Sequence, residues 1–429
     1  MAYLQRVPSS AGNRKKFTMS AWLKPMIPSS GSVTMISCWS ADNVAGHFIW
    51  RIKSDGTIGW SRWSEDSYST RKLKDENAWY HCVIAVDTTQ ATASDRIKLY
   101  VNNEQITSFS VGANYPAQNT DLPVNNTTSQ TIGLNNYSSS GNGFKGYMSH
   151  FHLVDGLQLT PSTFGSTDST TGEWKINTNP TISDYGTCGF FMFKDDNSAN
   201  DDSGKGNNFT LNGTLPKSED NPSNVFATIN PLVPYSSNYD FYNGNTTVEN
   251  DGSSAAWTTR WGVSTLGMSS GKFYAEAKIA NIGTNQMYAL GLIKDVGTFA
   301  PSSSVGANGL GYYSTGNIYN GISGQDQTGL ASYTTNDIIG LAIDATNGSA
   351  QWYKNGSAIG NAETIATDGT WFFVTNFYTN GKVFVNYGNG YFGTDAITTN
   401  SGNGYAGAEG SSKFNYQPPT GYSALSTKG

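Results

Sequence analysis

The chain has 429 residues, of which 37% are hydrophobic, 13% aromatic and 14% charged, with 48 glycines and a formal net charge of −6 at a pI near 5.2. The acidic balance excludes a general nucleic-acid partner and an anionic membrane surface, since both need a basic field. No apolar run reaches the roughly 18 residues of a bilayer-spanning helix, so membrane insertion is not expected. Many aromatics and little charge also exclude charge-rich disorder.

Read in chain order, period-2 alternation dominates. Phe17, Met19, Ala21 and Leu23 are apolar, with Thr18 and Ser20 between them. Residues 79–87 form a strand ending in Asp87, and Ile97, Leu99 and Val101 share one face of the next. The run Phe190-Phe191-Met192-Phe193 predicts an apolar strand that braces what precedes it, and residues 272–279 alternate again. Asp55-Gly56, Asn355-Gly356 and Asn380-Gly381 mark turns. No long amphipathic helix is present, so the class is all-β. A weak echo links two stretches: residues 79–103 and 337–356 each read as a strand, an Asp at a turn, a strand, then an Asn-led turn. Two domains of one architecture explain it, namely tandem antiparallel β-sandwiches. Segments rich in Pro, Asn, Ser and Asp place the join after residue 165. The expected division is a first sandwich over 1–165, an irregular linker with a bracing strand over 166–239, and a second sandwich with a C-terminal tail over 240–429.

Cys38, Cys82 and Cys188 are odd in number and far apart, and read as small buried hydrophobes. The first residues lack the apolar core of a secretory signal. Yet the composition is that of an extracellular β-protein. A virion protein, made in the cytoplasm and displayed on the particle surface, reconciles the two.

Several motifs carry resemblances. Residues 17–24, Trp79-Tyr80-His81, Leu99-Tyr100-Val101-Asn102 and the closing run 144–156 resemble the laminin-G-like, concanavalin-type jelly roll. Residues 270–276, Tyr288-Ala289-Leu290-Gly291-Leu292, the pair 337–344 and 352–356, and Val383-Phe384-Val385-Asn386-Tyr387-Gly388 resemble a SPRY domain, with Tyr387 where Phe is usual. With the bridging runs 155–165, 189–195 and 202–209, this order resembles virion proteins of marine tailed bacteriophages. The resemblance implies two concanavalin-like sandwiches in a capsid or tail component, with other virion proteins and further copies of the chain as partners.

Catalysis finds little footing. Concanavalin-like hydrolases need paired carboxylates on one strand face, whereas Glu276 stands alone. Gly267-Met268-Ser269-Ser270-Gly271 fits a nucleophile-elbow pattern, but a strand follows where that motif requires a helix. His150 and His152, two apart on a strand, read as residues of one sheet face. Calcium is a candidate cofactor, because Asp195, Asp196, Asn197, Asp201 and Asp202 form an oxygen-rich loop. Such loops also form turns capped by their own side chains. A host surface glycan is the candidate ligand. Trp39, Trp50, Trp60 and Trp63 crowd one stretch with Arg51, Arg62 and Tyr68, and exposed indoles stack on sugars while their neighbours bond hydroxyls. Core packing is the competing assignment for these tryptophans. In the second domain Tyr313 and Tyr319 lie in a loop region suited to recognition.

Overall fold

The computed structural model describes residues 2–137, 143–194, 198–215, 217–233, 239–250, 257, 261–284, 287–296, 304–324, 326–398 and 404–429, the side chain of Asn308 excepted. The chain divides into two compact units, Met1–Lys217 and Ser218–Gly429. The stretch expected as a linker is thus shared out between them, and its first part is built into the first unit.

The first unit contains β1 (Tyr3–Arg6), β2 (Lys16–Pro25), β3 (Ser32–Trp39), β4 (His47–Lys53), β5 (Thr57–Arg62), β6 (Glu65–Lys72), β7 (Tyr80–Asp87), β8 (Ile97–Val101), β9 (Glu104–Ile106), β10 (Phe109–Val111), β11 (Gln130–Ile132), β12 (Gly146–Asp155), β13 (Gly165–Thr167), β14 (Trp174–Ile176), β15 (Phe190–Met192) and β16 (Thr210–Asn212). An eight-stranded sheet runs β10-β6-β5-β4-β3-β11-β1-β16 and a six-stranded sheet runs β15-β12-β2-β7-β8-β9. Their inner faces form one core: Phe17, Met19 and Leu23 of β2 meet Met35, Trp50 and Trp60 of the opposite sheet. The run 190–193 braces the unit as β15, paired with β12.

The second unit contains β17 (Asp240–Tyr242), β18 (Thr247–Asn250), β19 (Trp261–Val263), β20 (Lys272–Asn281), β21 (Met287–Lys294), β22 (Leu310–Tyr313), β23 (Asn317–Asn320), β24 (Ile338–Asp344), β25 (Ser349–Lys354), β26 (Ser357–Thr364), β27 (Trp371–Phe377), β28 (Gly381–Asn386), β29 (Tyr391–Phe392), β30 (Asp395–Ala396) and β31 (Ser423–Ala424). One sheet runs β17-β18-β28-β20-β24-β25-β26, and a five-stranded sheet runs β19-β27-β21-β22-β23. Ala275, Ile339 and Val383 pack across the gap against Leu292 and Phe373.

The sequence echo is reproduced in matching contacts. In the first unit Lys16 faces Asp87 across β2 and β7 and pairs with it at 3.0 Å; in the second Lys272 faces Asp344 across β20 and β24 and pairs at 3.1 Å. Asn102 and Asn355 turn the following hairpins at φ 48° and 49°. Each closes the same two-way clasp. Its N–H donates to the carbonyl of His81 or Ile338, and its side-chain Oδ1 accepts that residue's N–H, all at 2.8 Å. Asparagine suits this site because it tolerates the left-handed region and supplies a local acceptor.

The outer faces of the central strands are also buried. In the first unit residues 157–185 fold back over the six-stranded sheet. Thr18 Oγ1 donates to Leu157 O and accepts from Leu159 N–H, both at 2.8 Å, and Phe164 and Tyr185 pack on Val83, Val154 and Phe191. In the second unit residues near the C-terminus do the same. Asn415 and Tyr416 each donate a backbone N–H to Glu276 at 2.8 Å, and Phe414 packs on Tyr274. Burial raises the Glu276 carboxyl to about 7, opposed by these N–H donors and by Asn386 and Tyr274.

The shared clasp sets an expectation. Asn102→Ala and Asn355→Ala should each cost about 2 kcal/mol, from the left-handed strain of alanine and one lost hydrogen bond. Asn→Gly at either site should cost about half as much. Denaturant unfolding of the four variants checks this, and unequal costs at the two sites would deny the equivalence.

Candidate functional site

A partly exposed aromatic constellation of the first unit lies at one end of its eight-stranded sheet. β3 ends on Trp39, directly opposite His47 at the start of β4. β5 ends on Arg62, opposite Glu65 of β6, and Trp63 and Ser64 form the two-residue turn between them. Trp63 has φ 57°, a conformation that a bulky residue rarely takes. Its N–H donates to His47 Nδ1 at 3.1 Å, which fixes the turn and leaves the indole half exposed. Tyr137, 47% exposed, reaches the same place from the loop after β11 and is the hub of the cluster. Its ring centroid lies 5.1 Å from Trp63, 5.8 Å from His47 and 6.2 Å from Trp39. Asn135 Oδ1 accepts the Tyr137 N–H at 3.1 Å and holds the loop.

Polar groups border the rings. Trp39 Nε1–H donates to Asp42 Oδ1 at 3.1 Å, and Arg62 is paired with Glu65. Burial, with Arg51 nearby, lowers the His47 pKa, so the ring is neutral. Its Nδ1 accepts from Trp63, which puts the ring proton on Nε2, an atom with no partner among the described residues. Half-exposed indole and phenol rings beside hydroxyl-bonding groups make a surface that stacks on C–H faces and bonds polar edges.

Four of the expected ligand residues do not belong to this surface. Trp50 and Trp60 are directly paired across β4 and β5, both 0% exposed, and fill the core between the sheets. Tyr68 is buried beneath Arg51, which donates to its hydroxyl, and burial raises its pKa to about 12. Arg51 serves that contact and an ion pair with Asp66 at 3.7 Å. Arg62, though buried, closes the Trp63 turn. His47 and Tyr137 were not singled out in the sequence; Tyr137 lies over seventy residues beyond Trp63, and no local pattern joins them.

In the second unit Tyr313 and Tyr319 come together at 6.0 Å on the five-stranded sheet, in a half-buried ladder with Tyr288 and Trp257. Of the proposed calcium loop, Asp195, Asp196 and Asn197 lie outside the described residues. Asp201 caps its own loop: Oδ1 accepts the N–H of Phe191 and of Ser203, and Oδ2 accepts Ser203 Oγ–H and Asn207 N–H, at 2.8–2.9 Å. Asp202 donates its backbone N–H to Phe191 O. Among the described residues no group of three His, Cys, Asp or Glu side chains is placed to hold a metal.

Residues 2–164 match the family described as the concanavalin A-like lectin/glucanases superfamily. The two-sheet fold of this stretch is concanavalin-like. No curated protein matches the chain. Among solved structures it is similar to the SPRY domain of human HERC1, at 19% identity and TM-score 0.29 over 34% of this chain and 91% of that one. A human SPRY domain gives 17% and 0.27 over 34% and 94%. The heptameric SAP-like pentraxin from Limulus polyphemus gives 18% and 0.27 over 37% and 72%.

The two kinds of tryptophan separate experimentally. Trp60→Ala should destabilise the protein by about 3–5 kcal/mol through the cavity it leaves. Trp63→Ala should change stability by less than about 1 kcal/mol, since it also loses part of a solvated ring while relieving none of the core. Thermal and denaturant unfolding of the pair tests this assignment of core and surface.

Proposed function

We propose that the protein is a non-enzymatic surface protein of a bacteriophage particle, on capsid or tail, whose first unit adheres to a host surface glycan through Trp39, Trp63 and Tyr137. The observation that carries this reading is the clustering of these three half-exposed rings at a sheet end, with a strained tryptophan held outward and Asp42, Arg62 and Glu65 beside it. Strained backbone persists where the surroundings over-determine it, and such positions concentrate at ligand-binding sites. The match of residues 2–164 to a superfamily that includes lectins supports the choice of ligand. The virion setting rests on the order of the two sandwich domains and the linker motifs between them. Copies arrayed on a particle would multiply a weak single-site affinity, so homo-oligomeric assembly with other virion proteins belongs to the same proposal.

Binding of the purified protein to intact candidate host cells and to their extracted polysaccharide is the direct test, run with and without calcium chelation. Saturable binding without release of reducing ends is expected. Trp39→Ala and Trp63→Ala should each weaken it at least about tenfold, the scale for loss of an anchoring aromatic. Turnover of the polysaccharide would replace adhesion with depolymerisation. Binding confined to capsid or tail proteins would leave an architectural role.

A further inference from the structure

The covering segment of the first unit is fastened by an unusual polar contact. His81 lies on the outer face of β7, 0% exposed, stacked between Trp22 of β2 at 5.0 Å and Trp174 of β14 at 5.9 Å. The Trp174 indole N–H donates to His81 Nδ1 at 3.0 Å, and Ser20 Oγ lies 2.8 Å from Nε2. An indole nitrogen can only donate, so Nδ1 must carry a lone pair and the ring proton sits on Nε2 toward Ser20. A second proton would place an N–H at Nδ1 directly against the Trp174 N–H. An imidazolium at His81 and a docked Trp174 therefore exclude each other. The Trp174 ring packs directly on Gly165 across the β13–β14 hairpin, in space that any side chain there would fill.

Among the described residues no acidic group is paired with His81. Toward His81 from β12 lie His150 and His152; the latter is 1% exposed, stacked on Phe191 at 3.9 Å, with Nδ1 2.9 Å from the Tyr185 hydroxyl. Further along β2 stands Lys24 over the Tyr147 ring, and Lys194 lies over Phe191. Asp155, at the end of β12, accepts from Asn13, Asn125 and Cys188. The segment's own carboxylates are engaged or solvated: Asp168 with Lys175, Asp184 with Lys205, Glu173 exposed. On β8 and its approach, Lys98 pairs with Asp95.

We infer that residues 157–185 are an acid-released strap, latched by Trp174 on a neutral His81, whose opening bares the apolar outer face of the six-stranded sheet. The direction follows from the buried ring. Burial holds His81 down to about 3 against an ordinary 6.5, so the closed strap keeps its full advantage above about pH 6.5 and loses it progressively as the pH falls toward 3. The opening constant should rise up to about tenfold per pH unit for each proton taken up, or about fiftyfold between pH 6.5 and 4.5 for His81 alone. His152, also held low by burial and by His150 and His81, adds to the effect.

Hydrogen exchange of the full chain at pH 7.5 and 4.5, corrected for intrinsic rates, tests the latch. Amides of 157–185 should lose protection in acid while those of β2 and β7 keep theirs. His81→Phe, which retains a stacked ring but cannot be protonated, should remove most of the acid loss and leave only the part due to His152. Should that variant fold poorly, Trp174→Phe keeps the ring contact without the opposing N–H and should show a shallower pH dependence. Unchanged protection in the wild type, simultaneous loss in β2 and β7, or a wild-type pH response in the variants would each overturn the inference.

Discussion

In both units the central strands are buried on two faces, and this constraint orders everything around them. A sandwich supplies only the inner face of each sheet. The outer face of β2 and β7 carries Thr18, Ser20, Trp22 and His81, and that of β20 carries Tyr274 and Glu276, all buried. Side chains of this kind cannot be left dry and unpaired, since an unmet polar group costs about 1–3 kcal/mol. Each unit therefore needs a returning segment that brings both apolar cover and matched polar groups. The first brings Leu157, Leu159, Phe164 and Trp174; the second brings Phe414 and two backbone N–H groups.

The two units use one hairpin plan with different fastenings. The lysine–aspartate pair at the strand ends and the asparagine clasp are the same in both, and the strand run β12-β2-β7-β8-β9 has the neighbour order of β28-β20-β24-β25-β26. What differs is the polar residue in the middle of the outer face: Ser20 with a neutral histidine in one, a carboxylate in the other. Interior packing has tolerated that divergence because each polar residue is matched by its own covering segment, not by the sheet.

The strands and the all-β class were legible because alternation survives in the sequence even where both faces are buried: Phe17, Met19, Ala21 and Leu23 still share one face. The echo was legible because the clasp needs asparagine at a fixed place. The same parity, applied to residues 48–52 and 58–60, puts Trp50 and Trp60 on the inner face with Phe48, Ile52 and Ile58. Read by density alone, the four tryptophans look like one surface; read by parity, only Trp39 and Trp63, at strand ends, are left for the outside. The remaining site could not be read locally. Tyr137 joins the rim, and Trp174 joins His81, across about seventy to ninety intervening residues, and no period marks a contact of that span. The loop at 201–208 was legible as a turn, and its aspartate serves its own backbone.

The position of the second unit's cover along the chain governs its order of assembly. Glu276 finds its backbone donors 139 and 140 residues downstream, after every strand of both sheets except the short β31 has been made. On the ribosome, the sheet around β20 must wait with a carboxyl short of its two backbone donors and a bare aromatic face until residues 414–416 emerge. The first unit, whose cover follows its last central strand directly, has no such delay. Synthesis thus passes through a stage with one sandwich closed and the other open on one side, the stage at which a premature stop or a chaperone would find the chain most exposed.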